Sequence, residues 1–250
     1  MIDLTDRTAL VTGGSRGVGR ATALLLARAG ADVAIGYRSR LDAAQETVAA
    51  IRAAGRRALA VAADLTEPGG AEQLLEAVAR EFGHLDILVA NAGVWPAESL
   101  PVATLSEARW RSTLESNLDA VFGTVRAALG RIRPGGAIVL VSSTAAQRGE
   151  AGHADYAAAK GALIAFTKSL AVECAPGITV NCVAPGWIDT EMAASAFADG
   201  GLERIAATIP LRRVASADDV AGPIVFLASP LARHITGEIL NVNGGSVLCG

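Results

Sequence analysis

The sequence predicts an α/β fold, a doubly wound seven-stranded parallel sheet with helices packed on both faces. Three observations carry that expectation. Short apolar runs of strand length alternate with longer helix-forming stretches along almost the whole chain, the pattern of repeated βαβ units with right-handed crossovers. The first run feeds a glycine-rich turn that opens directly into an Ala/Leu-rich stretch. No linker, repeat or low-complexity segment divides the 250 residues, so one domain over 1–250 is expected.

Composition agrees and excludes several classes. With 51% hydrophobic and 19% charged residues, the chain can fill a large core. No apolar run is long and uncharged enough to span a membrane. The opening Met1-Ile2-Asp3-Leu4-Thr5-Asp6 lacks the basic and apolar regions of a signal peptide. A net charge of -3 without a Lys/Arg cluster argues against a nucleic-acid surface. Cys174, Cys182 and Cys249 are an odd set with no Cys-x-x-Cys spacing and read as reduced thiols, hence a cytoplasmic protein. His84, His153 and His234 are isolated, and no metal site is expected.

Taken in order, Thr8 to Val11 is a strand buried on both faces. The turn Thr12-Gly13-Gly14-Ser15-Arg16-Gly17-Val18-Gly19 follows, then a helix to about Ala29 that Gly30 can cap. Glycines admit a pyrophosphate to the backbone, and the helix N-terminus offers free N–H donors, so this is a Rossmann-type nucleotide site; the bland alternative is a tight turn. Asp32 to Tyr37 is the second strand. Its end should lie beside an adenine ribose, where NAD enzymes place an acid. Here Tyr37 is followed by Arg38 and Arg40, and no carboxylate would repel a 2′-phosphate; a solvated basic turn is the alternative.

Leu41 to about Ala54 is an amphipathic helix ended by Gly55, and Arg57 to Ala63 a third strand leading to Asp64-Leu65. Asp64 is also placed to cap a helix opened by Thr66 and Glu67. Leu85 to Ala90 is the fourth strand and runs into Asn91-Ala92-Gly93. A long helix is expected from about Leu105 to Arg131, with Asn117 inside it, where Asn is a poor helix former and needs a reason. Ala137 to Val141 is the fifth strand, with Ser142-Ser143 at its carboxyl end, where open α/β sheets place ligands.

A helix from Tyr156 to about Cys174 carries Tyr156-Ala157-Ala158-Ala159-Lys160. Residues four apart share a helical face, so the Lys160 charge can lower the Tyr156 pKa and make it a working acid or base. Taken alone, an exposed helix face carrying one aromatic and one basic residue is the alternative. Ile178 to Val183 is the sixth strand, entering Ala184-Pro185-Gly186-Trp187-Ile188-Asp189-Thr190. The Ala-rich stretch from about 191 to 210 reads as a mobile substrate lid. Ser216 caps a helix to Ala228 with Asp219 closing a near capping box, and Ile239 to Val242 is the last strand.

The spacing Thr-Gly-x-x-x-Gly-x-Gly, Asn91-Ala92-Gly93, Asn117, Ser143 thirteen residues before Tyr156, and Lys160 together resemble the short-chain dehydrogenase/reductase superfamily. The resemblance runs over almost the whole chain. It implies hydride transfer between a nicotinamide and a carbonyl or alcohol carbon, with Asn117, Ser143, Tyr156 and Lys160 as catalytic residues. Ser143 would hold the substrate oxygen and Tyr156 donate its proton. Lys160 would bind the ribose and tune the phenol, and Asn117 would kink its helix and hold a relay water. Ser142 reads as structural. For the cofactor it implies contacts from Gly13, Ser15, Arg16, Gly17, Val18, Gly19, Tyr37, Arg38, Asp64, Leu65, Asn91, Ala92, Gly93, Tyr156, Lys160, Pro185, Gly186, Ile188 and Thr190. NADP(H) is expected over NAD(H), with Arg16 and Arg38 approaching the 2′-phosphate. Trp95, His153 and Trp187 are expected to border the substrate pocket with Ser143.

Within the superfamily the chain is most similar to 3-oxoacyl-[acyl-carrier-protein] reductases, through residues 184–192 and Ile209-Pro210-Leu211. It departs from them after Gly93, where Val94-Trp95-Pro96-Ala97 replaces Ile-Thr-Arg-Asp. Of the basic carrier-docking positions, Arg133 lies near one, and Ala175-Pro176-Gly177 has no Arg. The expectation is an NADPH-dependent reductase of a ketone or 3-oxoacyl group to a secondary alcohol, taking a small ketone or acyl thioester as substrate and working as a homotetramer with no nucleic-acid or membrane partner. A dehydrogenase of a sugar or small secondary alcohol, or a non-catalytic nucleotide sensor, are the alternatives.

Overall fold

The computed structural model describes residues 2–248; Met1, Cys249 and Gly250, and with them one of the three cysteines, lie outside. In chain order the elements are β1 (Thr8–Thr12), α1 (Gly17–Arg28), β2 (Asp32–Tyr37), α2 (Leu41–Ala53), β3 (Ala58–Ala62), α3 (Gly70–Phe82) and β4 (Leu85–Ala90). Then come α4 (Glu107–Leu114), a π turn (Glu115–Asp119), α5 (Ala120–Leu129), β5 (Ile132–Val141), α6 (Ala145–Arg148), α7 (Ala154–Glu173) and β6 (Ile178–Pro185). A 3-10 turn (Glu191–Ala193), α8 (Ala194–Phe197), α9 (Gly201–Thr208), α10 (Ala217–Leu227), a second 3-10 turn (Pro230–Ala232) and β7 (Ile239–Val242) complete the described chain.

The seven strands form one sheet in the order β3-β2-β1-β4-β5-β6-β7, with every pairing parallel. Side chains alternate between the two faces, as strand geometry requires. Ala9 and Val11 of β1, Val33 and Ile35 of β2, and Val139 of β5 enter one core with Leu26, Ile51 and Ile224. Their neighbours Leu10, Ala34, Ile138 and Leu140 enter the other with Leu74, Val125 and Leu163. Helices α1, α2 and α10 therefore cover one face, and α3, α5 and α7 the other. Strands buried on both faces read as unbroken apolar runs, which is why they were legible.

Three local expectations are corrected. The helix expected from 105 to 131 is two helices joined by a π turn, in which Ala120 N–H bonds to the Glu115 carbonyl five residues back. Asp64 does not cap α3, which begins later, at Gly70; its carboxylate accepts from Thr66 N–H and Oγ1 at 3.0 and 2.7 Å and closes a turn after β3. The strand expected at 137–141 begins at Ile132, so Arg133 lies within it. Arg133 clamps the buried Asp86 carboxylate with both Nη2 contacts, at 2.7 and 2.9 Å. Arg7 and the Thr8 N–H join it at 3.1 and 2.8 Å. That knot ties the amino-terminal edges of β1, β4 and β5 together, roughly 30 Å of strand away from Ser143.

Candidate active site

Strand order reverses between β1 and β4, and the loops leaving their carboxyl ends diverge there, the place where open parallel sheets form a crevice. The loops are stitched by Thr12 Oγ1, which accepts from both Asn91 N–H and Ala92 N–H at 3.0 Å. Asn91 Nδ2 returns a bond to the Thr12 carbonyl at 2.9 Å. The crevice opens into a cavity of about 720 Å³. Each residue expected to touch the cofactor lines it: Gly13, Ser15, Arg16, Gly17, Val18, Gly19, Tyr37, Arg38, Asp64, Leu65, Asn91, Ala92, Gly93, Tyr156, Lys160, Pro185, Gly186, Ile188 and Thr190. Helix α1 points its first turn at this cavity. Its N-cap residue, Arg16, makes no side-chain cap and no acid stands in the first turn, so the leading N–H donors are left for a ligand. Close approach demands glycine here: a β-carbon at Gly19 would lie 2.2 Å from the Gly13 carbonyl oxygen and 2.6 Å from Asn91 Nδ2. Uncapped donors and a side-chain-free cradle fit a dinucleotide diphosphate.

At the inner end stand Ser143, Tyr156 and Lys160. Tyr156 and Lys160 share one face of α7, as their spacing predicts, and both are buried. Lys160 Nζ donates to the Val141 carbonyl at 2.9 Å and sits 5.8 Å from the Tyr156 ring centroid. In the protein alone, burial works against the expected tuning. Burial pushes the phenol up to about 12, with the Ser143 side chain drawing it partway back. Burial also pulls the ammonium down to about 8. Desolvation is the dominant influence on both groups in the protein alone. Near pH 7 the site holds a protonated phenol beside a mostly charged ammonium. Ser142 Oγ donates to the Lys160 carbonyl at 2.8 Å, a structural contact; both serines border the cavity, and Ser143 is the one hydrogen-bonded to the Tyr156 phenol.

Asn117 is fully buried on the π turn and does not line the cavity. Its side chain is satisfied on both atoms: Nδ2 donates to the Val94 and Thr113 carbonyls, each at 3.0 Å, and Oδ1 accepts from Val94 N–H at 3.0 Å. It fastens the segment after Gly93 to α4. A β-carbon at Gly93 would meet Asn117 Oδ1 at 2.7 Å and Lys160 Nζ at 3.2 Å, so only glycine leaves both groups in place.

Two contributors escaped the sequence reading. Asp155, wholly buried, accepts from Tyr156 N–H through Oδ1 at 2.9 Å. Its Oδ2 accepts from Arg109 Nε at 2.9 Å and Thr113 Oγ1 at 2.8 Å. A carboxylate directly before Tyr156, in an otherwise Ala-rich helix, is the signal that could have shown it. Glu191 is the second: it bonds Arg16 Nη1 at 2.6 Å and Arg40 Nη2 at 3.0 Å across the cavity mouth. Arg16 is therefore paired with Glu191 through an exposed contact at the cavity it lines. Arg38 stands exposed at the end of β2 without a salt bridge among the described residues.

Trp95 and Trp187 line the cavity beside Tyr156. His153 does not. It is buried one layer back, stacked on Trp95 at 4.0 Å, with Nε2 donating to the Pro96 carbonyl at 3.0 Å.

This geometry has close relatives. A family model described as Enoyl-(Acyl carrier protein) reductase matches residues 13–246. The chain is similar to a 3-oxoacyl-[acyl-carrier-protein] reductase of Synechocystis, with 41% identity covering 99% of this chain and 100% of the relative. It is similar also to an uncharacterized oxidoreductase of Escherichia coli, with 42% identity covering 95% and 98% of the two chains. A crystal structure of a short chain dehydrogenase from Burkholderia cenocepacia in complex with NADP superposes with a TM-score of 0.91 at 42% identity, covering 97% of this chain and 98% of that one. With the parallel sheet, the glycine cradle and these matches across nearly its full length, the chain belongs to the short-chain dehydrogenase/reductase superfamily of NAD(P)-dependent oxidoreductases.

Proposed function

We propose that the protein reduces a ketone or 3-oxoacyl group to a secondary alcohol with NADPH. The observation that carries the reading is a protonated phenol, a serine hydroxyl and an ammonium gathered at the inner end of a dinucleotide-shaped cavity. When bound, the reduced nicotinamide supplies the hydride that the carbonyl carbon accepts. Ser143 holds the carbonyl oxygen, and Tyr156 gives that oxygen its proton. Lys160 stabilises the phenolate that remains. The Asn117 side chain is occupied by Val94 and Thr113, so a relay water at this residue rests on the main chain of the π turn.

The glycine turn and α1 hold the diphosphate, Asp64 and Leu65 border the adenine, and Pro185, Gly186, Ile188 and Thr190 cover the nicotinamide. NADP(H) over NAD(H) rests on Tyr37 and Arg38 at the end of β2, where this strand itself carries no acid to meet the ribose. A free ketone or small thioester is favoured over a carrier-bound one because Arg133 is bound to Asp86 at the far edge of the sheet. The names of the relatives favour the 3-oxoacyl reading. The short helices over 191–210 serve as the substrate lid within one domain, and a homotetramer is the assembly the family resemblance implies.

The test is oxidation of NADPH with a panel of free ketones and acyl thioesters. Steady turnover is expected, falling at least about a hundredfold in Tyr156→Phe, the scale of general acid catalysis, with NADPH binding retained. Near-normal turnover in that variant would remove Tyr156 from the chemistry.

A further inference from the structure

Among three Trp, two Tyr and five Phe in the chain, four rings gather at the reacting end of the cavity. Trp95 stands edge-on to Tyr156, with centroids 4.8 Å apart and planes at 80°. Trp187 meets Trp95 edge-on at 6.0 Å and 68°. Both indoles line the cavity, and each is backed by a second ring outside it: His153 on Trp95 at 4.0 Å, Phe197 on Trp187 at 5.8 Å. The Trp95 loop is pinned further by Leu100 N–H to the Gly152 carbonyl at 2.8 Å. The Trp95 side of this wall, backed by His153 and held by that bond, keeps its shape before the ligand arrives, so little ordering is needed there on binding, while Phe197 belongs to the segment read as the lid.

We infer that the substrate is a ketone conjugated to, or directly bearing, a flat unsaturated ring that lies against Trp95 and Trp187 while its oxygen meets Ser143 and Tyr156. The inference rests on the ketone-reductase reading and names its substrate class. Aromatic rings meeting edge-to-face or offset gain attraction beyond buried area, and a saturated ring of the same size gains only the burial. A sugar fits poorly. Its ring carries no π system to meet the indole edges and faces, and each indole offers its hydroxyls a single N–H donor. A linear acyl chain finds burial here but no use for the paired indoles.

The test compares acetophenone with cyclohexyl methyl ketone as NADPH-dependent substrates. Conjugation makes the aryl carbonyl intrinsically less reactive, so the quantity read is the change in the ratio of kcat/KM between enzymes. In Trp95→Leu the aryl-to-cyclohexyl ratio should fall about tenfold from that of the unmutated enzyme, and Trp187→Leu should move it the same way. A ratio unchanged within about twofold in both variants overturns the ring while leaving ketone reduction standing. Calorimetric titration with 1-phenylethanol and 1-cyclohexylethanol reads the wall without turnover. Tighter aryl binding that disappears in Trp95→Leu supports the aromatic site even if neither ketone is reduced, and the reductase reading alone then fails. Equal binding of the two alcohols overturns the inference.

Discussion

Glu191 holds two guanidiniums at once, and both lie at the mouth of the cavity where the proposed 2′-phosphate contact would form. Its carboxyl is held below the usual range, first by the hydrogen bond from Arg16 and then by the Arg40 charge. A lowered acid stays ionised until pH falls through the lowered value, so Glu191 carries its charge at any working pH. A 2′-phosphate must compete with this carboxylate for Arg16 and Arg40, while Arg38 is open to it. Glu191→Gln should therefore raise the kcat/KM ratio of NADPH over NADH several-fold, and Arg38→Ala should lower it about tenfold, the scale of one exposed charge-assisted contact. The two ratios, measured side by side, check the assignment; an unmutated enzyme that favours NADH, or an Arg38→Ala ratio that does not move, counts against it. Nothing local in the sequence marks Glu191, because Arg16 is 175 residues away from it.

At the scale of elements, the active-site helix depends on α4. Asp155 ties the first turn of α7 to Arg109 and Thr113, and Thr113 in turn receives Asn117. Replacing the carboxylate by an amide puts donors against donors in a buried place. Asp155→Asn should lose about 3 kcal/mol, the low end for breaking a buried ion pair, since Arg109 is partly exposed. For a chain of this size that lowers Tm by roughly 6–12 °C. With Tyr156 less firmly seated, kcat should drop while the KM for NADPH stays put; a cofactor KM that rises with the same factor would show general loosening instead. The sequence marks Asn117 as a residue out of place in a helix, but not the π turn. A turn with one extra residue shifts the helical face, and a search for a 3.6-residue period passes over it.

Across the whole molecule, burial sets how the site responds to pH. Lys160, lowered to about 8, is charged in the unfolded chain and neutral in the native one between about 8 and 10.5, so its contribution to stability grows as pH rises through that window. Cys182, raised to about 11, and Tyr156, raised to about 12, keep protons that the unfolded chain releases from about 9 and 10 upward, and their contributions fall. Stability should hold or climb slightly from pH 8 to 9 and then decline. Turnover should fall already from about pH 8, as Lys160 loses the charge that supports the phenolate. Denaturant midpoints and kcat recorded over the same pH range test the pair; a kcat that stays flat to pH 9.5 removes the Lys160 charge from the rate.

The sequence by itself determined the alternation of strands and helices, the glycine cradle of α1, and the placement of Tyr156 and Lys160 on one helical face. These are written in periodicity, turn chemistry and spacing over a few residues, where backbone geometry leaves little choice. Only the tertiary structure decided which way the Tyr156 and Lys160 pKa values move, because desolvation depends on everything packed around them. It likewise moved His153 behind Trp95, bound Arg133 to Asp86, and closed Glu191 over Arg16 and Arg40. Each of those joins side chains from elements far apart in the chain, and their meeting is a property of how the layers pack.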